Sequence, residues 1–133
     1  ELALITQAVN EILEITVDAF SRDDNEAAKA IEPLEETIDD MIMMLKDRHT
    51  KRLKNGQCSI ASGLVFMEAL TYFERASDQC SSIAVMMLAR HNEQILQNHY
   101  EYLREIHAGN DVAYLAEKDR RREQYIKPLK QIF

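Results

Sequence analysis

From Ile60 to about Arg90 no proline or turn cluster interrupts the chain, and the apolar side chains recur at steps of three and four, so one unusually long helix is predicted there. Ser59 stands where its N-cap should be. The apolar residues of this segment form two stripes, Leu64, Met67 and Thr71 on one side and Phe66, Phe73, Cys80, Ile83 and Met87 on another. A helix that is apolar on two sides belongs at the centre of a bundle. The remainder has to supply helices that cover it. With three glycines and two prolines in 133 residues, and Leu, Ile, Ala, Met, Glu, Lys and Arg in abundance, the chain lacks the punctuation that an all-β fold needs at its turns. An all-α fold is expected.

A first helix is predicted over Leu2 to Phe20, with Leu2, Ile5, Val9, Ile12, Thr16 and Phe20 on one face. The segment Ser21 to Asn25 breaks it, and Asp23 followed by Glu26 has the form of a capping box that opens a second helix. The turn is short, so the two helices should be antiparallel neighbours. The second helix carries Ile31, Leu34, Ile38, Met41, Ile42 and Leu45 and is expected to reach Leu53, where Asn55-Gly56 stops it. Pro33 lies inside it, and because proline has no N–H to offer the carbonyl of Lys29, a bend is predicted there. After His91 the pattern weakens. Gly109-Asn110 should end one further helix, Asp111 should cap a last one and Pro128 should end that; this charged tail is expected to dock less tightly.

The formal charge of -7 is spread along the chain, and the basic run Lys118 to Arg122 is broken by Asp119, so no nucleic-acid partner is expected. No apolar stretch approaches the length that spans a bilayer, and no leader pattern opens the chain. Cys58 and Cys80 lie outside any metal or redox spacing and read as packing thiols. His49, His91, His99 and His107 read as surface or cap residues. The absence of Glu-x-x-His counts against a ferritin-like di-iron bundle. Nucleophilic catalysis has no candidate residues, so an enzyme is not expected.

The acidic residues are more informative. Glu74 and Asp78 continue the line of Leu64, Met67 and Thr71, and Glu35 and Asp39 have the same spacing of four, with Glu35 in line with Ile31 and Ile42. Two acidic pairs thus point where core residues would be. Gathering buried carboxylates costs desolvation and repulsion unless protons or a cation compensate them. Oxygen ligands of this kind suit a hard divalent metal, or iron. The alternative is two solvated helix faces in salt bridges with Arg75, Arg48 or Lys46.

The string FERASDQCSSIA, with AIEPLEETIDD upstream and a GQCSI turn between, resembles the repeat of PhoU proteins. It is most similar to the last repeat of the PhoU-like region that follows the membrane part of bacterial sodium/phosphate cotransporters. The resemblance implies an antiparallel three-helix bundle over residues 1–92, with 93–133 as a helical tail. It also implies E/D-x-x-x-D motifs on two helices that bind multinuclear metal clusters. Glu35 and Asp39 match the first motif, and Glu74 and Asp78 the second. The implied cofactor is a divalent metal or an iron cluster. The implied context is a cytoplasmic regulatory domain of an inner-membrane protein, with the membrane transport domain of the same polypeptide as its partner. Where the family pattern has His after the second Asp and Asn four residues beyond it, this chain has Gln79 and Ser82. The family also pairs two repeats where this chain holds one, so a homo-oligomer is expected.

Overall fold

The computed structural model describes residues 1–132, all of it helices and turns; Phe133, the end of the expected tail, lies outside the described residues. Helix α1 spans Leu2–Arg22, α2 is the single turn Asn25–Ala28, α3 spans Ile31–Lys54 and α4 spans Ile60–Ala89. The tail forms α5 (Glu93–Gln97), α6 (His99–His107), α7 (Val112–Arg121), a π-helical turn (Arg122–Ile126) and α8 (Lys127–Gln131).

Helices α1, α3 and α4 pack on one another as an up-down-up bundle. Their shared core holds Ile5, Val9 and Ile12 of α1, Ile31, Leu34, Ile38, Met41 and Leu45 of α3, and Leu70, Cys80, Ala84 and Met87 of α4. The apolar line expected on α3 is buried throughout. On α1 the buried face turns slightly from the expected one: Ala8 and Ala19 are inside, while Leu2 and Phe20 are exposed. Leu64 of α4 is also exposed. Large side chains outlined these faces in the sequence, whereas Ala8 and Ala19 fill part of the buried face of α1.

The turn after α1 differs from the expected capping box by one residue. Asp23 adopts a left-handed conformation (φ 50°), which ends α1 and lets the next N–H reach back to the Ala19 carbonyl. Asp24 therefore becomes the cap, its carboxylate accepting from Ala27 N–H at 3.1 Å. The bend predicted at Pro33 is a break. α2 stops at Ala28, and α3 restarts at Ile31 with Pro33 in its first turn, where a missing N–H costs nothing. Gly56, at φ 68°, closes α3 in a conformation that a side chain would strain. Ser59 caps α4 as expected, accepting from Ser62 N–H at 3.1 Å.

The tail folds back on its own bundle. Its middle is lightly held: α6 buries no residue, and Ile95 is the buried residue of α5. Its end docks firmly, contrary to the expectation from its charge. Tyr125, Ile126 and Leu129 are buried against α1 and α3. The Tyr125 hydroxyl donates to Glu11, Arg121 pairs with Glu11 and Glu117, and Arg48 donates to the Leu129 carbonyl at 2.8 Å. Arg121, Arg122 and Lys118 of the tail are paired with acids of α1 and α3. Pro128 does not end the last helix either. The π-helical turn before it widens the backbone where the proline would otherwise crowd the preceding carbonyl, and α8 runs through to Gln131.

Candidate metal centre

The seam between α3 and α4 is lined with acids, and its two ends are neutralised differently from its middle. At one end Lys46 Nζ meets Glu74 Oε2 at 2.7 Å. At the other, Glu32 accepts from the Ser81 hydroxyl and meets His107 Nε2 at 2.8 Å. Between them stand Glu35, Asp39 and Asp78. The antiparallel packing of α3 and α4 brings one carboxylate oxygen from each of these three within 4.8 Å of the others. Among the described residues none of the three is in an ion pair with a Lys, Arg or His.

This triad is costly as it stands. Glu35 is only 7% exposed, and burial, with repulsion from Glu32 and Asp39, pushes its carboxyl up to about 10. Asp39 is pushed up to about 6 by burial and then by repulsion from Asp78 and Glu74. The Asp39 Oδ1 is sealed from solvent with no hydrogen-bond partner. Asp78 sits at the exposed rim. A buried acceptor left open beside two further carboxylates, at a position reachable from solvent, fits a hard cation of the magnesium, calcium, manganese or iron type.

Of the four carboxylates expected at the site, the structure gathers Glu35, Asp39 and Asp78. Glu74 lies one turn away in the bridge to Lys46, as the salt-bridged alternative would have it. Gln79 and Ser82 are both exposed. Sequence reasoning missed three features around the triad. Glu32 shares the α3 face of Glu35 and Asp39 at steps of three and four, a signal present in AIEPLEETIDD. The partners Lys118 of Glu36 (3.0 Å) and Arg122 of Asp40 come from the tail, and no local spacing announces them. His107 is at the surface as expected, but its bridge to Glu32 and Glu36 was not foreseen. His49 is buried rather than exposed: its ring packs 4.5 Å from that of Phe66, and Arg52 donates to its Nδ1.

A family model described as the PhoU domain matches residues 2–87, which hold α1, α2, α3 and nearly all of α4. The chain belongs to the PhoU domain family. No curated protein and no solved structure matches it. As a PhoU domain the chain is a regulatory helical bundle of a family associated with the regulation of phosphate transport. The matched stretch contains all four expected acids and ends inside α4, before the tail begins.

Proposed function

We propose that the chain is the cytosolic PhoU-like regulatory domain of a sodium/phosphate cotransporter and acts on a membrane transport domain of the same polypeptide. In this reading the three-helix repeat over 1–92 carries the regulatory site and 93–133 is a strap that holds its flank. The site binds a divalent metal or an iron cluster through Glu35, Asp39 and Asp78. Glu74 is recruited as a further ligand when it leaves Lys46. The bound group would supply positive charge, replacing the proton that Glu35 otherwise holds. The chain's own residues would do the rest: Lys46 pairs with Glu74, His107 hydrogen-bonds Glu32, and Glu35 fixes the buried end of the site.

The observation that carries the metal assignment is the contrast along one seam. Glu74 and Glu32 each have a partner, whereas Glu35, Asp39 and Asp78 converge with no Lys, Arg or His paired to them among the described residues. The transporter context rests on the resemblance of FERASDQCSSIA and its upstream motif. Among the described residues no helix is long and apolar enough to cross a membrane.

Elemental analysis of the metal-loaded protein, beside a Glu35→Gln/Asp78→Asn variant, tests the site. The expected outcome is stoichiometric metal in the parent and its loss in a variant that keeps its helical circular dichroism. Metal content equal in both proteins, or absent from the loaded parent, would leave the domain as a helical interaction module without a bound ion, which is the second reading.

A further inference from the structure

A three-helix bundle has three outer grooves, and this one uses two of them. The α1–α3 groove is filled by Tyr125, Ile126 and Leu129 of the tail, and the α3–α4 groove carries the acids and their partners. Apart from α2, which touches both helices near their C-terminal ends, the α1–α4 groove has no cover among the described residues, and its walls are apolar. On α1, Leu13, Val17 and Phe20 are 41%, 65% and 65% exposed; on α4, Tyr72 is 57% exposed and Ile83 37%. Helical spacing puts all five on the flanks that face this groove, because Thr16 of α1 and Cys80 of α4, which meet across the seam, lie between them. We propose that this groove is a self-association surface, occupied by a second copy of the chain in a two-fold dimer.

Size and register favour a copy of the same chain. The five side chains expose on the order of 500 Å² of mostly apolar area, close to the apolar share of a standard interface of about 800 Å² per partner. α1 and α4 run in the same direction, as the Asp23–Arg90 contact at their C-terminal ends also requires. With Thr16 level with Cys80, Phe20 lies four residues beyond that level and Tyr72 eight before it, so each stands about six residues, about 9 Å at the helical rise, from a midpoint between them near the level of Glu14 and Asp78. A two-fold axis through that midpoint inverts the levels. It lays Phe20 over the partner's Tyr72 and Tyr72 over the partner's Phe20, with Leu13 and Val17 near the centre. Paired aromatic anchors around an aliphatic centre are what a stable isologous interface needs.

Sedimentation equilibrium of the full chain from low micromolar to several hundred micromolar tests the surface. The parent should shift from monomer to dimer with concentration, and so should a Met43→Glu control, which places a charge at an equally exposed position on α3. A Val17→Glu/Phe20→Ser variant should remain monomeric with unchanged helicity. A monomeric parent at every concentration, or a dimer in that variant, would overturn the proposal. Should the variant unfold, the register is tested in a folded background. In Leu13→Cys with Cys58→Ser, which keeps both aromatic anchors, the new thiol lies near the two-fold axis and faces its own copy across it. Oxidation at dimer concentrations should give a covalent dimer linked through residue 13. Absence of that link, or the same yield from a Met43→Cys control in the same background, would overturn this register.

Discussion

At Gly63 the first turn of α4 comes so close to α3 that an added Cβ would stand 2.8 Å from Leu53 Cδ2 and 3.0 Å from His49 Nε2. Two effects compete there. Alanine in place of a helical glycine stabilises by about 0.5–1 kcal/mol. The flexible end of Leu53 can move for one methyl group, but the His49 ring is wedged against Phe66 and held by Arg52. Gly63→Ala should therefore come out within about 0.5 kcal/mol of the parent, the propensity gain offsetting the crowding. Gly63→Val adds branches that Leu53 alone cannot accommodate and should cost about 1–3 kcal/mol. Urea denaturation of both variants checks this, and equal losses would mean that the contact is governed by backbone conformation rather than by space. The same pocket explains why His49 was not legible in the sequence. Nothing in its spacing separates a histidine on the solvent side of α3 from one roofed by the next helix's only glycine.

At the scale of elements, local patterns gave the bundle and long-range charges gave the tail. The C-terminal end of α3 and both ends of α4 could be read nearly correctly because strict periodicity, Ser59 and Asn55-Gly56 all act within a turn or two. The α2–α3 break was misread as a bend because a proline pattern marks where a helix is weak, not whether the chain leaves it. The tail's docking was hidden because its anchors, Arg121 and Tyr125 to Glu11, join residues more than a hundred apart in sequence. The same distance concealed Lys118 and Arg122 as partners of the acid face, whereas Glu35 and Asp39 were visible from a spacing of four. Docking of the last helix has a measurable weight. Tyr125 is fully buried, and burial with the Glu11 bond raises its phenol far above the usual range. Tyr125→Phe should cost about 1 kcal/mol through the lost hydrogen bond, and Tyr125→Ala about 3–5 kcal/mol through the cavity. Leu129→Ala should lie between them, at about 2–4 kcal/mol. Thermal melts that place all three variants within a degree of the parent would mean that the tail is detached in solution.

For the whole molecule, the seam and the surface ion pairs predict opposite responses to pH. Glu1, Glu11 and Glu117 are held below the usual carboxylate range, Glu1 and Glu117 by bonds and charge from neighbouring arginines and Glu11 by the Tyr125 hydroxyl and then Arg121, which together outweigh the upward push of burial. Groups with lowered values stabilise the fold above their unfolded values near 4.5, and that stability is lost as pH falls through the folded ones. Glu35 and Asp39 act the other way. Their folded values, about 10 and about 6, lie above the unfolded values of 4.5 and 3.8, so the native chain holds more protons than the unfolded chain across the intervening range. Their contribution is complete below the unfolded values and declines as pH rises, first through Asp39 and then through Glu35. The metal-free protein should accordingly be most stable near pH 5 and melt at progressively lower temperature from pH 5 to pH 8, in contrast to the usual neutral optimum. Glu35→Gln, which keeps the shape and removes the titrating proton, should flatten most of that slope. A divalent cation reverses the trend, because it binds the deprotonated carboxylates and competes with protons, so its stabilisation grows with pH. Melting curves in chelator and in excess manganese at pH 5, 6, 7 and 8 should therefore diverge toward high pH. Parallel curves would remove the triad as the metal site. A Glu35→Gln protein with the parent's chelator slope would place the excess protons on other groups.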